Sequence, residues 1–374
     1  MPALAVSDAL RSLDNDLELL YIGQPDSMEE RIVKAKGLAF ASVRAGKFRR
    51  RHFDSNVGKL LNWRTLGPNS LDAFKTVAGV HDAYQVLRRF KPAVIFIKGG
   101  FVGVPVGLAA RSLRIPYVIH ESDVSPGLAN RLLGRWATAI AVGFPKKYYR
   151  QWHDKPLVFV GNPVRPEVLK AHRLEGLARF KFDEHRPVVL VTGGSQGSRE
   201  INEAVLEGLD GLLELAQVIH VTGEGEYERV QFALRRRSLP SDSSRYQVAA
   251  FLNADMPLAL AVADVVVCRA GMNTVAELAA LHKPAVLIPN TDMAGHQVAN
   301  ARVLGRAGAA RVLSGTSVTG PKLVGEVAKI LHDDKEQRRL SQAMGTFATA
   351  DAAADLAKLI IKIGRPTLGE GRGV

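Results

Sequence analysis

The sequence predicts an α/β protein of two similar-sized Rossmann-like domains with a cleft between them. Three observations predict it. Short apolar runs alternate with helical stretches along all 374 residues. Most of these runs are continuously apolar, as strands buried on both faces of a parallel sheet are. Glycine-rich turns stand where several of the runs pass into helices, the punctuation of βαβ units.

The elements follow in order. "MPALAVSDALRSL" is a helix entered directly from a proline, and "LELLYIG" is the strand after it. Between them, "DND" at Asp14–Asp16 formally matches the D-x-D of metal-dependent sugar transferases. It lies at the wrong end of the strand for the cleft and reads as a surface turn. The first half continues with the strand "LAFASV", the helix "SLDAFKTVAGVHDAYQVLRRF", and the strands "AVIFIKGG", "PYVIHE", "TAIAVGF" and "LVFVG". The pattern pauses at "GNPVRPEVLKAHRLEGLARFKFDEHRP", where Pro163 and Pro166 precede a charged stretch, and a fresh strand starts at Val188. The boundary therefore falls near 163–186, giving domains 1–163 and 164–345. The second half holds the strands "PVVLVTGG", "QVIHVTG", "YQVAAF", "ADVVVCRAG", "PAVLIPN" and "AARVL", with "SREINEAVLEGLDGLLELA" as a helix among them. Residues 346–366 read as a terminal amphipathic helix able to pack back on the first domain, and 367–374 as a disordered tail.

Composition narrows the function. Cys268 is the one cysteine, so no internal disulfide forms and a reducing compartment is the default. No Cys/His cluster has zinc spacing. No apolar run approaches the roughly 18–20 residues of a membrane span, and Asp8, Asp14, Asp16 and Glu18 are wrong for a signal peptide. The net charge of +13 is uneven: residues 1–165 carry 25 Lys/Arg against 13 Asp/Glu (+12), and residues 166–374 carry 25 against 24 (+1). Arg31, Lys34, Lys36, Arg44, Lys47, Arg49, Arg50 and Arg51 follow one another with no acid between. Such a face suits an anionic partner, a phosphorylated substrate or lipid headgroups, although a solvated surface looks the same. No nucleic-acid-binding signature accompanies it.

The glycine turns carry the chemistry. In "VVLVTGGSQGSREIN", Gly193, Gly194 and Gly197 allow a sharp turn and close approach, and Ser195 and Gln196 are expected where the helix begins. Free N–H groups and the positive dipole end there bind phosphate or diphosphate. No Gly-Lys-Ser/Thr follows and the spacing is not G-x-G-x-x-G, which argues against a P-loop and a nicotinamide cofactor. "IKGGFVGVPVGLAARSL" repeats the design with Gly99, Gly100 and Gly103. In "VVVCRAGMNTVAELAAL" the helix opens at Asn273–Thr274, and Glu277 could accept from sugar hydroxyls or simply support the helix dipole. Three such turns suit a nucleotide-sugar, and positive helix ends with Arg stabilise a leaving diphosphate without a cation. His120 and Glu121 are adjacent on one strand and point to opposite faces, so they need not act together. His296 is open to a cleft-lining or a catalytic role.

These residues resemble a known family. "GGFVGVPVGLAARSLRIPYVIHESDVSPGLANRLLGRWATAIAVGFP", "GNPVRPEVL", "VTGGSQGSREINEAV", "CRAGMNTVAELAALHKPAVLIPN" and "HQVANARVLGRAGAA", colinear over nearly the whole chain, are similar to the MurG family of bacterial cell-wall glycosyltransferases, the undecaprenyldiphospho-muramoylpentapeptide β-N-acetylglucosaminyltransferases of glycosyltransferase family 28. The resemblance implies a GT-B fold. It implies transfer of N-acetylglucosamine from UDP-N-acetylglucosamine to undecaprenyl-linked lipid I, giving lipid II with inversion and no metal or other cofactor. It further implies a peripheral protein on the cytoplasmic face of the membrane. The basic first domain, and "GKLLNWRTL", would meet the anionic bilayer, and cell-wall or division proteins would be partners. By resemblance Arg165 and Ser195, with Gln196 beside it, contact the donor diphosphate region, and Leu252 lies by the uracil. Met272, Asn273, Thr274, Val275, Ala276 and Glu277 line the nucleotide, Glu277 on the ribose hydroxyls, and Gln297 contacts the donor sugar. Asp123 in "HESD" stands where the family usually has Asn, which accepts and donates, so its donor-sugar contact is open. "RAGMNT" departs slightly from the commoner "RAGALT".

The family begins with a strand and a glycine-rich loop bearing a histidine near the acceptor hydroxyl, whereas "MPALAVSDAL" begins at the proline that follows. The expectation is a missing mid-sheet strand, whose neighbours would stand about 9–10 Å apart, and a catalytic base that no residue present supplies. A start codon placed too far downstream and a shortened, inactive paralogue are the two explanations. A GT-B transferase with another lipid acceptor, or a UDP-sugar-binding scaffold, are the competing functions.

Overall fold

The computed structural model describes residues 2–46, 63–194, 196–237, 242–291, 295–349 and 351–365. The chain divides into two compact units, Met1–Pro163 with Asp351–Val374, and Val164–Ala350.

In the first unit α1 (Pro2–Leu13) leads to β1 (Leu20–Gly23), α2 (Met28–Ala35) and β2 (Ala39–Ser42). Then come α3 (Trp63–Phe90), β3 (Ile95–Ile97), α4 (Gly103–Ser112), β4 (Tyr117–Glu121), α5 (Leu128–Leu133), β5 (Ala139–Val142) and β6 (Leu157–Phe159). Local chemistry sets the boundaries. Ser27 caps α2 by accepting from the Glu30 amide, and Glu30 reaches back to the amide of Asp26, just before the cap, at 2.8 Å. The turn at Asp14–Asp16 closes on itself, with the Asp16 amide donating to Asp14 Oδ1.

The parallel strands form two sheets, β1–β2 and β3–β4–β5–β6, and among the described residues no ladder joins them. One helix serves both. Leu4 of α1 packs with Val33 and Leu38 beside β1 and β2, while Val6 and Leu10 pack with Val118 and Ala141 of the larger sheet.

The second unit opens with α6 (Pro166–Lys170) and α7 (Arg173–Phe180), so the charged stretch after Pro163 is two short helices. There follow β7 (Val188–Thr192), α8 (Arg199–Glu207), α9 (Leu209–Leu215), β8 (Gln217–Val221), α10 (Glu224–Arg236), β9 (Asp242–Ser243), β10 (Tyr246–Ala249) and α11 (Met256–Val262). The unit ends with β11 (Val265–Cys268), α12 (Met272–Ala280), β12 (Ala285–Leu287), α13 (His296–Arg306), β13 (Arg311–Val312), α14 (Gly320–Leu331) and α15 (Asp334–Gly345). The strand order is β13-β12-β11-β7-β8-β10-β9, parallel apart from β9. Strands β7, β11 and β12 are buried at every position, as their continuous apolar runs require, and β8 is buried throughout with Gln217 and His220 in its run.

The helix expected over "SREINEAVLEGLDGLLELA" is interrupted. It breaks at Gly208, where a Cβ would lie 2.9 Å from the Gly320 carbonyl and 2.8 Å from Val324. The break lets α14 approach, and the Gly320 amide donates to Glu207 at 2.7 Å.

Finally α16 (Ala352–Gly364), capped by Asp351, lies in the first unit, where Leu356, Ala357 and Ile360 join the Val6–Leu10–Val118 cluster. The basic run is less free than its spacing suggests. Lys34 pairs with Glu30, Lys36 with Asp8, and Arg44 forks onto Asp82, acids drawn from elsewhere in the chain. Lys47, Arg49, Arg50 and Arg51, and the start of "GKLLNWRTL", lie outside the described residues.

Candidate active site

The second unit has its topological switch at β7 and β11. From β7 the chain winds outward through β8 to β10, then returns to place β11 on the other side of β7. In open α/β sheets the crevice outside the carboxyl ends of such a strand pair is where ligands bind.

After β7, Thr192 Oγ1 accepts from the Gly194 amide, and Gly194 and Gly197 take φ of +84° and +76°, conformations that favour glycine. At Gly197 a Cβ would lie 2.2 Å from the Thr222 carbonyl, so the loop also needs that residue for space. The cap of α8 is Ser198, whose Oγ accepts from the Ile201 amide. That corrects the expectation that the helix starts at Ser195 and Gln196. Gln196 lies in the turn before it, exposed, and Ser195 lies outside the described residues. After β11, α12 starts at Met272 with Gly271 as cap, a residue with no side chain to accept from its first-turn amides. Two helix starts thus bring positive dipole ends to the edges of the two central strands.

Around them stand the other expected residues. Glu277, in the second turn of α12, is 9% exposed, and its Oε1 accepts from Arg165 Nε at 2.7 Å. Arg165 itself caps α6. Met272, Val275 and Ala276 are buried supports of the helix, while Asn273 is exposed and Thr274 half-buried. Gln297, in the first turn of α13, accepts from the Asn290 amide at 2.9 Å, and Asn300 donates to the Ala270 carbonyl at 3.1 Å. Those two bonds fix α13 against the exits of β12 and β11. Leu252, half-buried, lies beyond the carboxyl end of β10. Gln196, Leu252, the Met272–Glu277 turn and Gln297 therefore share the carboxyl edge of one sheet, with Arg165 tied in through Glu277.

The first unit has a comparable edge. Gly99 and Gly100 follow β3 with φ of +84° and +80°, and Gly103 begins α4. Asp123 follows β4 in the same unit, its amide donating to Glu121 Oε1 at 3.0 Å. Glu121 is buried. Its Oε2 accepts from the Gly127 amide at 2.9 Å and Asn130 Nδ2 at 2.8 Å. Burial raises its pKa, against the pull of those N–H groups. His120 lies on the other face: its Nε2 donates to the Gly161 carbonyl at 2.8 Å, and burial pushes its pKa well down. His296 starts α13. Among the described residues no three His, Cys, Asp or Glu side chains cluster as metal ligands. Sequence reasoning passed over Lys98, Asn130 and Ser198. A lysine closing an apolar strand directly before paired glycines is the one signal that could have marked Lys98.

Residues 1–142 match the glycosyltransferase family 28 N-terminal domain, and residues 188–359 match its C-terminal domain. The chain belongs to glycosyltransferase family 28. Within that family it is 36% identical, over 96% of its length and 94% of the relative's, to the UDP-N-acetylglucosamine--N-acetylmuramyl-(pentapeptide) pyrophosphoryl-undecaprenol N-acetylglucosamine transferase of Halothermothrix orenii. It is 37% identical to transferase 2 of the same name from Bacillus cereus, over 88% of this chain and 87% of that one. The crystal structure of Acinetobacter baumannii MurG superposes with a TM-score of 0.72 at 25% identity, covering 96% of this chain and 95% of that one. Family 28 membership makes the protein a glycosyltransferase of GT-B architecture.

Proposed function

We propose that the protein transfers N-acetylglucosamine from UDP-N-acetylglucosamine to undecaprenyl-diphospho-N-acetylmuramoyl-pentapeptide, lipid I, forming the lipid II used in peptidoglycan synthesis. The observation that carries the donor half is the Arg165–Glu277 pair, with Glu277 on α12, the helix that starts, with α8, at the switch point. In this reading the amide ends of α8 and α12, with Arg165, stabilise the charge that develops on the departing diphosphate. Glu277 accepts from the ribose hydroxyls, and Gln297 contacts the sugar. As the acceptor hydroxyl attacks the anomeric carbon from the opposite side, the bond to the UDP oxygen breaks, the centre inverts and the hydroxyl proton passes to water, with no metal required.

The acceptor is lipid-linked. Among the described residues no helix is long and apolar enough to cross a membrane. The +12 of residues 1–165 supports peripheral contact with an anionic leaflet on the cytoplasmic side. Each unpaired basic residue there would contribute up to about 1 kcal/mol. Transfer of labelled N-acetylglucosamine to lipid I, with diacylglycerol as alternative acceptor, tests the reading. Label in lipid II alone is expected. Label in the diacylglycerol product, or UDP-sugar binding without turnover on either acceptor, would replace it.

A further inference from the structure

Lys98 stands at the carboxyl end of β3, immediately before Gly99 and Gly100. Its Nζ reaches His120 Nδ1, and Ser122 Oγ at 2.7 Å. Both partners are neutral acceptors. His120 Nε2 donates to the Gly161 carbonyl, so Nδ1 carries the lone pair. Among the described residues no carboxylate lies within ion-pair distance of Nζ. The Glu121 carboxylate is spent on the Asp123 and Gly127 amides and on Asn130. An ammonium has three N–H groups, and two of Lys98's are used. The residue is partly buried, so its charge is largely desolvated while part of the side chain still meets solvent.

A second observation adjoins it. Asn130 Nδ2 donates to the His120 carbonyl and to Glu121, which fixes the amide's orientation. Its Oδ1 is buried with no donor among the described residues. That oxygen lies 3.6 Å from where a Cβ of Gly99 would be. The two groups ask for a ligand with an anionic oxygen and, beside it, a hydroxyl or amide N–H.

We propose that Lys98, seated on His120 and Ser122, binds a phosphate oxygen of a sugar diphosphate in the first unit, with Asn130 Oδ1 receiving a hydroxyl or amide N–H of the attached sugar. The ligand class rests on the glycosyl-transfer reading above, and both the nucleotide-sugar donor and the lipid-linked acceptor belong to it. Desolvation lowers the Lys98 pKa to about 7, opposed by the charges of Glu121 and Asp123, with the neutral His120 and Ser122 completing its surroundings. An arriving phosphate would raise it again, so binding takes up a proton above pH 7.

The test uses the full chain with Lys98→Met, which removes the charge at similar volume, and Lys98→Arg, which keeps it. Michaelis constants are measured for UDP-N-acetylglucosamine and for lipid I in turn. The Met variant should raise one of them on the order of 10- to 100-fold, the loss expected for a hydrogen bond to a charged group. The Arg variant should recover most of it. Which constant moves tells whether the donor or the acceptor diphosphate is held. Both constants within about twofold of wild type, with only kcat or melting temperature changed, overturn the proposal. Titration with inorganic pyrophosphate at pH 8 separates this from the function itself. Even without turnover, the wild type should take up a proton that Lys98→Met does not, and equal uptake in the two proteins also overturns it.

Discussion

Arg165 and Glu277, 112 residues apart in sequence, meet at 2.7 Å, with the glutamate side chain 12% exposed and the arginine side chain 41%. The pair joins the residue that caps α6 to the second turn of α12. It holds the carboxylate in place before any hydroxyl arrives. Glu277→Ala is expected to weaken UDP binding by about 1–3 kcal/mol, the loss when buried polar partners go unpaired. Arg165→Ala should weaken it too, and the double variant should lose less than the sum, because the two act on one arrangement. Calorimetric titration with UDP reads all three. An unchanged dissociation constant in Glu277→Ala removes the residue from the site.

A second expectation concerns Glu121. Three N–H groups converge on its carboxylate and hold the segment Ser122–Gly127 against α5. Glu121→Gln keeps the shape but turns an NH2 toward donors. A loss of about 1–3 kcal/mol in unfolding free energy is expected, with a fall in kcat/KM as the segment loosens. Urea unfolding at wild-type stability would show the carboxylate to be dispensable.

Acid should destabilise the second unit through His220. Its Nε2 donates to Asn202 Oδ1 at 2.9 Å and its Nδ1 accepts from the Tyr246 hydroxyl at 2.8 Å. Burial pushes its pKa down to about 3. Between that value and about 6.5 the unfolded chain holds a proton that the folded chain lacks. Stability therefore falls as pH drops below about 6.5, at up to roughly 1.4 kcal/mol per unit from this group. His220→Gln should be less stable at pH 7 and show a shallower acid slope. Urea midpoints at pH 7, 6 and 5 measure both, and parallel slopes would rule His220 out as the cause.

The glycines divide sharply. Gly197→Ala meets both a positive φ and the Thr222 carbonyl, and should cost about 2–5 kcal/mol, with UDP affinity lost. Gly325→Ala, inside α14 with nothing within 4 Å of its Cβ, should stabilise by about 0.5–1 kcal/mol. Thermal melts of the two variants should move in opposite directions. A Gly197→Ala protein that melts and binds like wild type would show that the loop tolerates a side chain.

Much of this was legible in sequence because burial writes itself in composition. "VVLVT" and "VVVC" are strands enclosed on both faces, and they read so before any contact is known. Pro163 and Pro166, which lack backbone donors, stand where the alternation of apolar runs and helices pauses. What escaped depended on space or on distant partners. "TGGSQGSRE" holds two serines, and only hydrogen-bond geometry selects Ser198 as the cap. The apolar periodicity runs unbroken through Gly208, and the break appears only once α14 presses on it. Family resemblance named Arg165 and Glu277 separately, but no local pattern joins residues so far apart. The adjacency of His120 and Glu121 was informative in a negative sense. Opposite strand faces gave them separate partners, Lys98 with Gly161 for one and the Asp123–Asn130 segment for the other.

Helix α16 draws its residues from the far end of the chain, yet Leu356, Ala357 and Ile360 complete the core begun by Val6 and Leu10. A ribosome making this protein therefore releases its opening half before that half has all its parts. The later-made unit, Val164–Ala350, is continuous in sequence and can close while the earlier one is still waiting. Order of synthesis and order of completion run opposite ways. A stop codon placed late in the message would harm the portion translated first.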